Sequence, residues 1–530
     1  MERRQFIQSI AASALAAGAR PLLPLAEAAE KSVAAGQIAA AGQAEVKSDA
    51  AREFFFRPAD AWTMDVIPFY RDGRFHLFFL LDWRDVARHG EGLPWFQVST
   101  TDFVHFVEHG EMLARGTKDE QDLTVCTGSV AQGEGKYHIW YAGDNPAWKA
   151  KGKPQEAAMH AVSDDLLHWT KVPEDSFNAP SDLYDRDDWR DPFVFRNEEA
   201  GEYWMLVAAR TKTGPSRRRG CTALCVSKDL KKWDVREPLY APGLYRIHEC
   251  PDMFKMGDWW YLVFSEYTDL IRTRYRMSRS SKGPWTTPED DCFDGRALYA
   301  AKTASDGQHR YLFGWDPTRA GNKDYGTWDW GGNLVVHELK QEADGTLSVH
   351  LPATIDAAFS KPLAAPFPFT WGNVKVDGNQ VEVAATEPGE LSFACAASDV
   401  MPDRCKIEAQ VEFDEGTRGC GIMLRTSDDL DSSYYIRLEP KRNRMVFDCW
   451  PRVTPGPPVG GHLQGLERWI KLEPGVPVDL KIIVADSIAV VYVNNRIAMS
   501  LRMYDLPVGR WGLFANGGSA RFRNIKISAL

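Results

Sequence analysis

Short apolar runs dominate the pattern of residues 51–350. They are rich in Phe, Tyr, Trp, Val and Leu and are bounded by Gly, Asp or Asn, which is typical of β-strands. Sustained helical periodicity is almost absent from this region. The five clearest runs are RFHLFFLL from Arg74, KYHIWYAG from Lys136, EYWMLVAAR from Glu202, DWWYLVFSE from Asp258 and HRYLFGWD from His309. The pattern predicts a region built from short strands.

A polar segment that ends in an aromatic residue follows each of the first four runs. The copies are STTDFVHF ending at Phe106, SDDLLHW ending at Trp169, SKDLKKW ending at Trp233 and SRSSKGPW ending at Trp285. A repeat of this length with several short strands in each copy is the pattern of a β-propeller. Five strand runs predict five blades, which we assign to residues 51–352.

The pattern changes after the last repeat. Residues 353–378 are rich in Pro and Ala and are predicted to be a connector. Residues 379–530 contain alternating apolar and polar runs, among them KIEAQVEF, SYYIRLEP and ARFRNIKIS. This alternation predicts a β-sandwich. The expected fold class is therefore all-β, a five-bladed β-propeller followed by a C-terminal β-sandwich.

The N-terminus has the pattern of an export signal. Arg3 and Arg4 precede an apolar run over residues 6–19, which is shorter than the roughly 20 residues needed to cross a bilayer. Twin arginines before such a run resemble a bacterial twin-arginine signal. We predict a signal peptide over residues 1–30, a flexible linker over 31–50, a periplasmic or secreted location, and no membrane span.

Composition narrows the class of partner. The net charge of -10 argues against nucleic acid. The 19 Trp and 26 Phe residues suit sugar stacking as well as core packing. The nine cysteines are an odd number, so at least one of them cannot pair within the chain. A disulfide bridge between Cys395 and Cys405 is left as an open alternative. Since no metal-ligand spacing or phosphate-binding glycine loop is evident, no cofactor is expected. The predicted state is a monomer or weak homo-oligomer.

Three carboxylates lie in apolar strand contexts, one in each of three blades. They are Asp65 in AWTMDVIPF, Asp191 in DWRDPFVF and Glu249 in RIHECPDMF. A carboxylate in an apolar setting is costly unless it is paired or used, and glycoside hydrolysis uses two of them across the scissile bond. A structural role stays open for each, such as a turn before Pro192 or pairing of Glu249 with Arg246.

The motifs that contain these residues resemble glycoside hydrolase family 32, the β-fructofuranosidases. The matching segments are Trp62-Thr63-Met64-Asp65, Thr127-Gly128-Ser129, Arg190-Asp191-Pro192, Glu249-Cys250-Pro251, and Trp330-Gly331-Gly332-Asn333-Leu334 with Glu338-Leu339. The family has a five-bladed propeller followed by a β-sandwich. The resemblance covers about residues 52–530.

The resemblance implies a hydrolase that cleaves β-fructofuranosidic bonds in an oligo- or polysaccharide and retains configuration. It makes Asp65 the nucleophile, Glu249 the general acid/base, and Asp191 the residue that holds sugar hydroxyls and supports the transition state. The residues that it implies for substrate binding are Trp62, Thr127, Arg190 and Trp330.

The chain departs from the family beside the nucleophile. Met64 stands where the family has Asn, residues 66–68 replace its Pro-Asn-Gly, and Leu80 and Leu81 occupy the place of a Gln. The expectation is a divergent member whose sugar-reading residues have changed. Two alternatives stay open: a propeller glycosidase of the family 43 type that inverts configuration on arabinosides or xylosides, and a non-catalytic carbohydrate-binding protein.

Overall fold

The computed structural model describes residues 54–180, 182–385, 392–451 and 466–530. The predicted signal peptide and linker lie outside these residues. The described chain is mostly β-strand, and none of its helices is long and apolar enough to cross a membrane. The helices are α1 (Val86–His89), α2 (Pro146–Ala150) and α3 (Ala353–Ala358), and the 3₁₀ turns are Pro173–Asp175, Ala320–Asn322 and Pro440–Arg442.

The first nineteen strands form five consecutive antiparallel groups, which we call blades 1 to 5. Blade 1 contains β1 (Trp62–Arg71), β2 (Arg74–Asp82), β3 (Trp95–Thr100) and β4 (Val107–Leu113). Blade 2 contains β5 (Thr124–Gly133), β6 (Lys136–Asp144), β7 (Glu156–Ser163) and β8 (Thr170–Lys171). Blade 3 contains β9 (Tyr184–Asn197), β10 (Glu202–Thr211), β11 (Gly220–Ser227) and β12 (Asp234–Val235). Blade 4 contains β13 (Glu249–Met256), β14 (Trp259–Glu266) and β15 (Arg272–Ser278), and blade 5 contains β16 (Tyr299–Ser305), β17 (Arg310–Arg319), β18 (Trp328–Gln341) and β19 (Leu347–His350).

The blades are arranged in a ring. The first strand of each blade contacts the first strand of the next, and β16 contacts β1. Blades 5 and 1 are also joined by strand pairing, with Thr63 opposite Gly332. The segment before β1 adds to this closure, because the Leu334 amide donates to the Phe56 carbonyl. Five inner strands therefore surround one central channel.

The repeated polar segment is a turn between the third and fourth strands of blades 1 to 3. In each copy an Asp oxygen accepts the backbone N–H groups two and three residues further along. The three residues are Asp102, Asp165 and Asp229. Such side-chain-to-backbone hydrogen bonds satisfy amides that would otherwise lack partners in a tight turn. The repeated Asp in the sequence therefore stabilises the same turn in each of these blades.

The remaining strands form two packed antiparallel sheets. They are β20 (Lys361–Leu363), β21 (Phe369–Trp371), β22 (Asn373–Asp377), β23 (Gln380–Ala385), β24 (Phe393–Val400), β25 (Arg404–Phe413), β26 (Gly419–Thr426), β27 (Ser433–Glu439), β28 (Arg444–Trp450), β29 (Glu467–Trp469), β30 (Val478–Ala485), β31 (Ile488–Val493), β32 (Ile497–Arg502), β33 (Arg510–Asn516) and β34 (Gly518–Ala529). One sheet runs β22-β23-β34-β25-β30-β31-β32, with β20 paired to β34, and the other runs β21-β24-β33-β26-β27-β28-β29. A shared apolar core fills the space between them. The predicted all-β fold, a five-bladed propeller followed by a β-sandwich, is confirmed.

Residues 353–378 differ from the expected plain connector. They contain helix α3 and strands β20, β21 and β22, and all three strands pair with strands of the sandwich. Pro and Ala spacing suggested a loop, but only β20 contains a proline, Pro362, and β20 pairs on one side alone, with β34. Proline is tolerated in such an edge position because some N–H groups are unpaired there.

All nine cysteines are buried and unbridged. Cys395 lies on β24 and Cys405 on β25, in opposite sheets of the sandwich. The bridge left open by the sequence is therefore not formed. These thiols act as small apolar side chains.

Propeller and sandwich share an apolar cluster. Ile483, Val490 and Tyr492 of the sandwich belong to the same buried cluster as Phe254 and Val336 of the propeller. Because apolar burial is the main favourable contribution to folding, this shared core joins the two parts.

Candidate active site

A β-bulge interrupts the inner strand of every blade at the same level of the channel. The shifts in strand register fall between Met64 and Ile67, Val125 and Gly128, Arg190 and Phe193, Glu249 and Asp252, and Tyr299 and Lys302. A bulge inserts one residue, bends the strand and re-aims its side chains. Five bulges at one level bring side chains from all blades together.

Four of the bulges contain a residue with left-handed backbone. The φ angles are 41° at Asp65, 57° at Asp191, 50° at Cys250 and 51° at Ala300. Pro192 and Pro251 directly follow two of these residues. Proline has no N–H to donate, so it suits the unpaired position of a bulge. The Arg-Asp-Pro and Glu-Cys-Pro motifs are therefore bulge sequences as well as carriers of carboxylates.

Asp65 is held by donors from two other blades. Its carboxylate is 4% exposed. The Thr127 hydroxyl of blade 2 donates to Oδ2, and the Trp315 indole of blade 5 donates to Oδ1 over 3.2 Å. Both oxygens are thus fixed in orientation by neutral groups.

Glu249 is held by a cation and a phenol. It is 3% exposed. The Arg190 guanidinium donates to Oε1 over 2.9 Å, and the Tyr299 hydroxyl donates to Oε2 over 2.8 Å. Burial, with Glu249 as the next cause, raises the pKa of Tyr299 well above its usual value, so the phenol stays protonated and donates.

Arg190 links Glu249 to two further carboxylates. Its Nη1 lies 3.3 Å from Glu156 and 3.2 Å from Asp188. Burial alone would lower the pKa of Arg190, but Glu156 and Glu249 outweigh it and raise the pKa well above the ordinary value. The guanidinium is therefore a fixed positive charge at the channel wall.

Asp191 is joined to the same group through Cys250. The Cys250 amide donates to Asp191 Oδ2 over 3.0 Å. The Cys250 thiol lies 3.8 Å from that oxygen and 3.9 Å from the Thr127 hydroxyl. Burial first, and then Asp65 and Asp191, raise the pKa of the thiol well above its usual value. Cys250 is thus a neutral spacer and not a nucleophile.

Of the two tryptophans expected to bind substrate, the structure brings one to the carboxylates. The Trp330 ring packs edge-on against Tyr299 and Trp315, with centroids 5.3 and 5.2 Å apart. The Trp62 ring instead contacts two guanidinium groups, Arg84 at 4.4 Å and Arg57 at 4.6 Å. Such cation–π contacts engage the faces that a sugar would need, so Trp62 is placed as a packing partner of arginines.

The positions near Asp65 where the chain departs from the family motif are buried in the apolar core. Met64 and Leu80 are buried in the cluster between blades 1 and 2, and Trp330 packs against the same cluster. Leu81 belongs to a second buried cluster. Amide side chains at positions 64 and 80 could donate hydrogen bonds to sugar hydroxyl groups. In this chain Met64 and Leu80 instead belong to the apolar cluster against which Trp330 packs.

Sequence reasoning did not single out Tyr299 or Trp315. They lie on the first and second strands of blade 5, where the sequence shows no carboxylate motif. Trp315 lies in the run HRYLFGWD, which the sequence analysis interpreted only as a β-strand. A tryptophan inside that run was the one available signal for it. His248, beside Glu249, stacks on Phe264 at 4.4 Å and points away from the channel.

No group of three or more His, Cys, Asp or Glu residues that could hold a metal ion occurs within the described ranges. The side chains around Asp65 and Glu249 provide two buried carboxylates with different partners, a fixed cation, and aromatic rings at one side of the channel.

A sequence model described as the glycosyl hydrolases family 32 N-terminal domain matches residues 55–348. A levanbiose-producing levanase of Bacillus subtilis is 22% identical over 91% of this chain and 91% of its own.

Two solved structures share the fold. Sucrose-6-phosphate hydrolase from Lactobacillus gasseri has a TM-score of 0.68 at 18% identity, covering 90% of this chain and 93% of that one. Exo-inulinase from Aspergillus awamori has a TM-score of 0.67 at 16% identity, covering 92% and 99%. With the family model matching more than half of the chain, and with the Arg-Asp-Pro and Glu-Cys-Pro motifs present, this protein belongs to glycosyl hydrolase family 32.

Proposed function

We propose that this protein hydrolyses β-fructofuranosidic bonds of fructans or sucrose-like sugars by a retaining double displacement. The observation that carries the proposal is the pair of buried carboxylates Asp65 and Glu249 in one channel, each with both oxygens held by donors. Retaining hydrolysis needs one carboxylate as nucleophile and a second as acid and base. The levanase likeness along nearly the full chain supports the substrate class.

The proposed reaction has two steps. Asp65 attacks the anomeric carbon while Glu249 gives a proton to the departing glycosidic oxygen, so a covalent fructosyl-enzyme forms and the alcohol leaves. Glu249 then takes a proton from water, whose oxygen attacks the same carbon and releases Asp65. Two inversions retain the configuration.

The neighbouring side chains supply orientation and charge. Asp191 accepts hydrogen bonds from sugar hydroxyls and stabilises the positive charge that develops on the ring. Thr127 and Arg190 fix the two reacting carboxylates, and Trp330 provides an apolar face for the sugar. Met64 and Leu80 offer no donors to sugar hydroxyls, so the specificity for the sugar should differ from that of relatives with amide side chains there.

The substrate is tested with the purified protein on sucrose, inulin, levan and arabinan. The proposal expects release of fructose. Release of arabinose, or binding of sugar without release, contradicts it. Adding methanol tests the mechanism: retention gives methyl β-fructofuranoside, and the α-anomer would exclude a double displacement.

The roles of the carboxylates are tested by Asp65→Asn and Glu249→Gln separately. Asp65→Asn removes the nucleophile and should reduce activity to background. Glu249→Gln removes the proton donor and should lower kcat by about 10²- to 10⁴-fold. The measurement is kcat on the best fructoside, with melting curves to show that each variant is folded.

Asp122→Asn is the matched control, because Asp122 is also a buried propeller carboxylate but bonds Tyr141 and Lys171 in blade 2. It should keep its activity. Full activity in either site variant contradicts the assigned roles.

We also propose export through the twin-arginine route, on the pattern of residues 1–30, which lie outside the described residues. Changing Arg3 and Arg4 together to Lys should keep the protein in the cytoplasm of a bacterial host. Unchanged appearance in the periplasm or medium contradicts this route. Sedimentation of the exported protein tests the expected monomer or weak homo-oligomer.

A further inference from the structure

Arg296 is a half-buried arginine at the entrance to blade 5. Within residues 54–180, 182–385, 392–451 and 466–530 its guanidinium group forms no hydrogen bond and no ion pair. The guanidinium carbon instead lies 5.4 Å from the centre of the Trp328 ring. A guanidinium group carries five N–H donors, and its partial burial is costly when they lack acceptors. The donors and the charge of Arg296 are thus unmatched by the described chain.

A second arginine lies beside the same ring. Arg319, the last residue of β17, has its guanidinium carbon 3.8 Å from the centre of the Trp328 ring and donates to the Asp324 carbonyl. Burial first, and then Arg319, lower the pKa of Arg296 to about 10, so Arg296 is still charged at neutral pH. Two like charges therefore lie around one indole, where a negative charge would be attracted by both.

The carboxylates next to these residues in the chain have other cationic or imidazole partners. Each lies 3.0 to 3.3 Å from its partner: Asp294 from His337, Asp316 from Arg502 and Asp329 from Arg84. Asp324 acts on Arg319, and its side chain accepts from the Tyr434 hydroxyl. None of these carboxylates forms an ion pair with Arg296, so a counter-charge for it is missing from the described chain.

The two arginines lie at the active-site end of blade 5. Strands β16 and β18 run in the same direction, because each pairs antiparallel with β17. Arg296 precedes Tyr299, the first residue of β16, by three positions, and Trp328 precedes Trp330 on β18 by two. The two tryptophan side chains therefore share a face of the strand about 7 Å apart. Trp330 packs on Tyr299, whose hydroxyl donates to Glu249.

We propose that Arg296 and Arg319, beside Trp328, bind a negatively charged group of the substrate, a phosphate or a carboxylate, on the sugar unit that leaves with the glycosidic oxygen. Guanidinium groups bind both kinds of anion through paired N–H donors. The substrate class is then an anionic fructoside. This inference rests on the proposed function for its catalytic consequence, whereas binding of the anion is independent of hydrolysis.

Binding of inorganic phosphate tests the site without activity. Titration calorimetry on the full chain at constant ionic strength should show binding to the wild type and about tenfold or weaker binding to Arg296→Met. The Met variant keeps an apolar side chain against Trp328 but has no charge and no donors. Equal affinity in both proteins, or no binding to the wild type, overturns the proposal. If the Met variant does not fold, Arg296→Gln decides by the same criterion.

The kinetic test compares sucrose, sucrose 6-phosphate and sucrose oxidised to a carboxylate at C6 of its glucose unit. The wild type should cleave at least one charged sugar with a kcat/KM about tenfold or more above that on sucrose. Arg296→Met should bring this ratio close to one. The better charged sugar identifies a phosphate or a carboxylate as the group bound. Equal kcat/KM of the wild type on all three sugars overturns the proposal.

Arg279→Met is the matched control. Arg279 also stacks on a tryptophan, 3.9 Å from the centre of the Trp259 ring, but it has a carboxylate partner, Asp258, at 3.4 Å. This variant should keep both the phosphate affinity and the substrate ratio of the wild type, and a loss equal to that of Arg296→Met contradicts the site. Phosphate binding that depends on Arg296 in a protein that cleaves no fructoside supports the site while the proposed function fails. Cleavage of sucrose without such binding gives the reverse.

Discussion

Asp65 and Glu249 are similar in burial but differ in what their carboxylate oxygens contact. Asp65 accepts from a hydroxyl and an indole, whereas Glu249 accepts from a guanidinium and a phenol. Different surroundings are how proteins give two carboxylates different tasks. The contacts thus distinguish the two carboxylates, while the proposed roles of nucleophile and acid/base come from the motifs.

Trp315→Phe tests how much the indole contributes at Asp65. It removes the N–H donor and keeps an aromatic ring, so kcat/KM should fall about tenfold or more, since hydrogen bonds to charged groups contribute roughly 1.5–3 kcal/mol. The control is Trp204→Phe in blade 3, where the indole bonds Glu202 outside the channel. Equal losses of kcat/KM in both variants would assign the effect to packing.

At this scale the sequence located the carboxylates but not all of their partners. Asp191 and Glu249 lie in motifs whose proline marks them. Tyr299 and Trp315 lie in ordinary-looking strand sequence, and only the ring of blades brings them to Glu249 and Asp65. Contacts between residues this far apart in the chain leave no local pattern.

The inner strands are the elements that assemble the site. Each carries a bulge at the same level, so one structural device, repeated five times, turns the side chains of five strands toward one axis. The backbone strain of a positive φ at Asp65 and Asp191 is tolerated because the surrounding sheets fix these strands.

His248 directly precedes strand β13 of blade 4 and makes the free energy of unfolding of the protein depend on pH. Burial lowers the pKa of His248 to about 3 from 6.5. The folded protein therefore keeps the ring neutral while the unfolded chain takes up a proton below pH 6.5, so stability falls as the pH falls from 6.5 toward 3.

The test is the free energy of unfolding at pH 7 and pH 5 for wild type and His248→Asn. The loss between these pH values should be smaller in the variant by about 2 kcal/mol. His168→Asn, at an exposed histidine with 88% of its side chain accessible, should not reduce the loss. Parallel curves for wild type and His248→Asn would contradict this account.

In the molecule as a whole, the sandwich is joined to the strands that support the site. Arg502 of β32 donates to the Asp316 carbonyl and to Asn333, each over 2.7 Å, and its Nε lies 3.0 Å from the Asp316 carboxylate. Asp316 follows Trp315, the indole donor to Asp65. The sandwich therefore holds the strand whose Trp315 orients Asp65.

Arg502→Met should destabilise the protein by about 2–3 kcal/mol, because it leaves the buried Asp316 carbonyl and the Asn333 side chain without their donor. Burial already raises the pKa of Asp316 to about 8. A group with a raised folded pKa favours the folded state at low pH and loses that contribution as the pH rises. Loss of Arg502 raises this pKa further, so the deficit measured by urea unfolding should stay level between pH 5 and pH 7 and grow as the pH rises above 8.

Arg404→Met is the control, since Arg404 forms an ion pair with Asp486 at the surface of the sandwich. Its effect should be small, because exposed ion pairs contribute about 0–1 kcal/mol. A deficit for Arg502→Met that is equally small, or that does not change with pH, would contradict the role given to this interface.

The sequence by itself determined the fold class, the five blades and the three carboxylates, because strand periodicity, turn residues and bulge prolines are local signals. It did not determine that residues 353–378 join the sandwich, that Trp62 packs on arginines, or that Cys395 and Cys405 stay apart. Those outcomes depend on which strands become neighbours. The tertiary structure alone placed Tyr299 and Trp315 beside the carboxylates, since closing the ring brings blade 5 beside blades 1 and 4.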